Sequence, residues 1–66
     1  MTNNFIRLKN VMSITGLSKS SIYGMMNSGN FPKNVLLGAR AVAWIEREVA
    51  EWVESRVKAS RGNSYA

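Results

Sequence analysis

Apolar residues recur at helical spacing in three stretches of this chain and read as strands in a fourth. Leu8, Val11 and Met12 fall at i, i+3 and i+4, which predicts a helix from Leu8 to about Ile14. Thr15-Gly16 then breaks the pattern, and Gly16 suits the positive φ at which many helices end. Ile22, Met25 and Met26 repeat the same spacing and predict a second helix from Ser18 to about Ser28. Ser18 is a good N-cap, because its hydroxyl accepts from a free amide of the first turn. Gly29 stands where a C′ glycine belongs, and Pro32 prevents the helix from continuing. The break from Thr15 to Leu17 is short, so the two helices must cross steeply, as in a helix-turn-helix.

Residues 34–45 read as a β-hairpin. Val35-Leu36-Leu37 and Ala41-Val42-Ala43-Trp44 are strand-like runs around Gly38-Ala39-Arg40, with Gly38 expected as the first central residue of a two-residue turn. Val35 and Leu37 then share one face, as do Val42 and Trp44. A lone hairpin is unstable, so this face must pack on the helices. A last helix is predicted from Glu46 to about Lys58, with Val49, Trp52, Val53 and Val57 as its apolar stripe. Glu46 and Glu48 in its first turn and Arg56 and Lys58 in its last both suit the helix dipole, and Glu54 and Lys58 form an i, i+4 pair. This helix reads as scaffold, and Trp44 and Trp52 read as core rather than as stacking platforms. Residues 1–4 and 59–66 read as loose ends. The expected organisation is one domain over residues 5–58 and a flexible tail over residues 59–66.

The order helix, turn, helix, hairpin, helix is a mainly α fold with a small β-hairpin, a winged helix-turn-helix. A chain of 66 residues holds one such domain. A domain of this size buries only about 60% of its unfolded surface. It has no Cys and no His, so neither a disulfide nor a structural zinc reinforces it. Its few large apolar residues, self-association or a bound partner must supply the stability. The polar start Met1-Thr2-Asn3-Asn4 and the short longest apolar run, Ala41 to Ile45, point to a soluble, cytoplasmic protein that does not enter a membrane.

Enzyme chemistry finds little support. The chain has no His, Cys or Asp, and its 4 acids, Glu46, Glu48, Glu51 and Glu54, all sit on the scaffold helix. That leaves no base beside a nucleophile and no metal-ligand cluster. No Gly-rich phosphate loop is present, and no cofactor is expected.

Charge changes the picture more. The net charge is +5, and it is unevenly spread. Residues 1–45 carry Arg7, Lys9, Lys19, Lys33 and Arg40 with no acid among them. A carboxylate-free surface is what binding to a polyanion requires, since one misplaced carboxylate repels phosphate.

With the elements placed, several runs together resemble one family. They are Arg7-Leu8 with Val11, Thr15-Gly16-Leu17-Ser18-Lys19-Ser20-Ser21-Ile22-Tyr23, Gly29-Asn30-Phe31-Pro32, Leu37-Gly38-Ala39-Arg40-Ala41-Val42-Ala43-Trp44, and Glu48-Val49 with Trp52. In this order and spacing, over about residues 5–56, they resemble the AlpA family of prophage regulators. The resemblance implies a winged helix-turn-helix like those of MerR-like regulators and phage excisionases. It also implies sequence-specific double-stranded DNA binding, with a role in activating integrase genes or in directing recombination toward excision. An activator requires contact with RNA polymerase, and an excisionase requires contact with integrase. A domain this small covers few base pairs, so specificity calls for several copies side by side. The alternative from another class is a protein-only adaptor that blocks a regulator or an integrase.

If the second helix enters the groove, Ser18, Lys19, Ser20 and Ser21 occupy the turn presented to bases and phosphates. Lys19 suits a phosphate or a guanine edge, and serines at a helix start donate to phosphate. Tyr23 either donates its hydroxyl to phosphate or packs its ring at the domain edge. Asn27 either reaches an adenine edge or caps the helix end locally. Lys33, Asn34 and Arg40 bracket the hairpin, and Arg40 at its tip suits insertion into a narrow minor groove. Arg7 and Lys9 flank the first helix and are further candidates for contact with backbone phosphate. Gly24 costs about 1 kcal/mol relative to Ala in a helix interior. Its expected reason is close packing of a neighbouring helix, and close approach of DNA is the alternative.

Overall fold

The computed structural model describes residues 4–62. Strand β1 (Phe5–Ile6) leads into α1 (Leu8–Thr15) and α2 (Lys19–Asn27). Strands β2 (Val35–Leu36) and β3 (Val42–Ile45) follow, and α3 (Glu46–Gly62) closes the described chain. None of these helices is long and apolar enough to cross a membrane.

The two helix-ending glycines act as the pattern requires. Gly16 follows α1 at φ 75° and donates its N–H to the Met12 carbonyl at 2.8 Å. Thr15 closes the same turn from its side chain: its hydroxyl donates to the Val11 carbonyl and accepts from the Leu17 N–H. Gly29 follows α2 at φ 81°, with Gly29 N–H bonded to the Met26 carbonyl and Asn30 N–H to the Met25 carbonyl. That crossed pair is a Schellman ending, which satisfies carbonyls a helix otherwise leaves unpaired.

The core draws one buried residue from each main part of the fold: Val11 of α1, Ile22 of α2, Phe31 of the connection, Trp44 of β3 and Val49 of α3. Trp44 is the largest of them and has no exposed surface. Its indole N–H donates to the Pro32 carbonyl at 3.1 Å, so burying it leaves no polar atom unsatisfied. The Trp52 indole donates to the Asn30 carbonyl at 2.7 Å and meets Phe31 edge to face at 4.8 Å between ring centres. Both tryptophans therefore serve the packing, as expected. Arg56 lies over Trp52 at 4.9 Å, a cation–π contact on the scaffold helix.

Three expectations are corrected. First, the hairpin is part of a three-stranded antiparallel sheet in the order β1-β3-β2, with Phe5 opposite Ile45 and Ile6 opposite Trp44. Asn4, expected as a loose end, accepts from the Glu46 N–H at 2.8 Å and donates its side-chain amide to the Glu46 carboxylate at 3.2 Å. Residues 1–3 lie outside the described residues.

Second, the turn holds three residues rather than two. Leu36 pairs with Val42 and Leu37 N–H bonds the Ala41 carbonyl, which leaves Gly38, Ala39 and Arg40 between the strands. Gly38 is not at positive φ, so it does not fill the role expected of it. In this register Leu36 lies on the same face as Val42 and Trp44, and Val35 on the face of Ala43. On that hairpin Val35 and Val42 are half-buried, whereas Leu36 and Leu37 stay exposed.

Third, α3 continues past Lys58 to Gly62. Residues 59–62, expected in the tail, are helical. Ala59, Ser60 and Arg61 contain no helix breaker, and Arg61 rather than Arg56 and Lys58 occupies the last turn. Residues 63–66 of that tail lie outside the described residues.

Candidate nucleic-acid interface

Helix α2 presents its outer side to solvent. Ile22 is buried and Met25 and Met26 are half-buried, which fixes the inner face. Lys19, Ser20, Ser21, Gly24 and Asn27 are exposed. At 100° per residue, Ser20, Gly24 and Asn27 form a stripe directly opposite Ile22. The last helix packs on β3, leaving that stripe uncovered.

The start of α2 is built by its serines. Ser18 has extended backbone, and its hydroxyl accepts from the Ser21 N–H at 3.2 Å while donating to the Ser21 hydroxyl at 3.1 Å. The cap therefore engages the Ser18 hydroxyl in both directions, whereas Ser21 accepts and keeps its own proton to donate. Neither α1 nor α2 has an acid in its first turn, so the positive end of each dipole is uncompensated. At α3, by contrast, Glu46 and Glu48 fill that place.

The other singled-out residues divide by position. Tyr23 is half-buried and meets Trp44 edge to face at 6.1 Å, so its ring packs at the domain edge. At the end of α2 the local capping is made by Ser28 and Asn30: Ser28 donates to the Met25 carbonyl and accepts from the Asn30 amide. Asn27, which the sequence offers for that task, does not make these bonds, and neither Ser28 nor Asn30 stands out in the sequence as a cap. Lys33 is exposed, Asn34 is half-buried, and Arg40 is exposed in the loop between β2 and β3. Arg7 is the extended residue before α1, and Lys9 lies exposed in that helix's first turn. The Tyr23–Trp44 contact joins α2 to the strand that descends from the Arg40 loop.

The expected packing reason for Gly24 fails. A Cβ built there meets no atom within 4 Å, so no neighbouring helix requires the glycine.

A shallow groove of about 1040 Å³ lies elsewhere, between residues 29–35 and α3. Glu48 and Glu51 line it together with Lys33 and Arg56, so its wall carries both signs of charge, unlike the acid-free start of α2. Among the described residues no group of three metal-ligating side chains is brought together.

Two crossed helices, a hairpin after them and a third helix behind the sheet define a winged helix-turn-helix domain. The family model described as "Prophage CP4-57 regulatory protein (AlpA)" matches residues 4–57. The chain belongs to that family. It is 37% identical over 59 residues to "DNA-binding transcriptional activator AlpA" of Escherichia coli strain K12, covering 80% of this chain and 84% of that protein. It is 43% identical over 61 residues to "Uncharacterized protein ORF88" of Enterobacteria phage P4, covering 92% of this chain and 68% of that one.

Proposed function

We propose that this protein is a sequence-specific DNA-binding transcriptional regulator of a prophage or genomic island and not an enzyme, with α2 seated in a major groove. The observation that carries the reading is the exposed, acid-free start and outer stripe of α2, in a chain similar to a protein named as a DNA-binding activator. Lys19 pairs with phosphate or a guanine edge, and Ser20 and Asn27 face the base edges. The Ser21 hydroxyl and the open helix start favour phosphate, while Ser18 holds the turn in shape. Arg40, with Lys33 and Asn34 at the base of the hairpin, follows the flanking backbone or minor groove. Arg7 and Lys9 add phosphate contacts, and Tyr23 contributes mainly by bracing α2 on Trp44.

The output we assign is control of an integrase gene, with RNA polymerase as protein partner and several copies bound side by side. The neighbouring role is excision, in which the same domain directs integrase at an attachment site. Selection of duplexes from a randomised pool, followed by footprinting on the surrounding genome, tests both. A protected site beside an integrase promoter supports the regulator. Phased sites within an attachment region shift the role to excision. Failure to enrich any duplex, with weak retention on heparin, contradicts DNA binding and favours the protein-only adaptor.

A further inference from the structure

We infer that the far half of α3 binds a second copy of this chain, the two helices pairing antiparallel across a two-fold axis at Val57. This supplies the contact between neighbouring copies and rests on the proposed DNA-binding reading for its role. Val49, Val53 and Val57 form an i, i+4 row, which drifts about 40° around a helix at each step. The row is buried at Val49, half-buried at Val53 and 41% exposed at Val57. Residues 54–62 are all exposed, so the end of α3 stands clear of the core.

An exposed valine alone names no partner, but the charges around it do. Its neighbours on the helix are Val53 and Glu54 one turn before and Ser60 and Arg61 one turn after. Glu54 and Arg61 lie on one flank of Val57, and Val53 and Ser60 on the other. A two-fold axis at Val57 reverses one helix on the other and sets each flank against its own copy. Glu54 then faces the partner's Arg61 on both sides of the axis, and Val53 faces the partner's Ser60. A parallel pairing turns unlike flanks together and leaves Glu54 and Arg61 without an opposite charge. The antiparallel arrangement also brings the basic end of each helix toward the acidic first half of the other. The helices overlap over about 15 Å, a contact well below the roughly 1,200 Å² of a stable complex. It therefore acts between copies held on adjacent DNA sites, where the effective concentration is high. In a two-fold pair those sites are inverted.

The chain has no cysteine, so introduced thiols report the contact directly. Val57→Cys, in the full chain at high concentration, should oxidise to a covalent dimer, because the axis sets residue 57 against its own copy. Ser55→Cys lies on the far side of α3 and should crosslink at least tenfold more slowly. Cooperativity is read as the ratio of affinities for duplexes carrying the selected site twice, inverted, and once, over a range of spacings. Glu54→Lys and Arg61→Glu should each lower this ratio about tenfold, and the combined exchange should restore it, with melting temperatures little changed. Crosslinking no faster in Val57→Cys than in Ser55→Cys overturns the inference. Additive binding of the wild type at every spacing, or wild-type cooperativity in both single exchanges, does the same. Tight binding to the single site in those cases leaves the DNA-binding reading standing. Selective crosslinking of Val57→Cys in a chain that selects no duplex upholds the pairing and removes that reading.

Discussion

The indole N–H of Trp44 donates to the carbonyl oxygen of Pro32 at 3.1 Å, tying the central strand to the segment that leaves α2. Trp44→Phe retains much of the ring volume but strips that carbonyl of its partner, at a cost of about 1–3 kcal/mol. Trp44→Ala adds a cavity and should cost about 3–5 kcal/mol, most of what a domain this small has. Urea denaturation followed by Trp52 fluorescence reads both. A loss below about 0.5 kcal/mol for the alanine variant would contradict the central place of Trp44.

Ile6 stands opposite Trp44 in the register of β1 and β3 and packs against the core. Ile6→Ala should lower stability by about 2 kcal/mol, the low end for a large-to-small change, because the side chain is only half-buried. Phe5 is 48% exposed, so Phe5→Ala should cost less. Equal, negligible effects in thermal melts of the two variants would mean that β1 contributes nothing.

Ser18 caps α2 through the Ser21 N–H at 3.2 Å. Ser18→Ala should lose about 1 kcal/mol, a fall of about 4–8 °C in melting temperature. Ser18→Asp keeps an N-cap acceptor and should melt like the wild type. It also places a carboxylate on an acid-free surface, so its affinity for DNA should fall. An aspartate variant that binds DNA as tightly as the wild type would remove Ser18 from the neighbourhood of phosphate.

Much of this fold was legible in the sequence, and the misses have one cause. Leu8, Val11 and Met12, then Ile22, Met25 and Met26, carry a local periodicity from which α1 and α2 can be read. Gly16 and Gly29 mark their ends because positive φ is a local demand. Strand β1 carried no such signal: two residues show no alternation, and the partner strand lies far along the chain. The length of the hairpin turn is not local in the same way: it is set by where the strands begin to pair, Leu36 with Val42 and Leu37 N–H with the Ala41 carbonyl, and a glycine in the loop does not mark that point. The end of α3 was placed early because polar, exposed residues at 59–62 carry no apolar stripe although nothing there breaks a helix. At the site, exposure of Lys19, Ser20 and Arg40 followed from the pattern. The open space at Gly24 did not, since whether a neighbouring helix approaches is settled only by packing.

The central claim is that α2 and the hairpin loop meet phosphate and bases together. The most direct measurement is the salt dependence of DNA affinity for the wild type, Lys19→Ala, Arg40→Ala and the double variant. Each single change should weaken binding and reduce the slope of log affinity against log salt by about 0.9, and the double change by about twice that, with melting temperatures unaltered. Slopes and affinities unchanged in all three variants would contradict it.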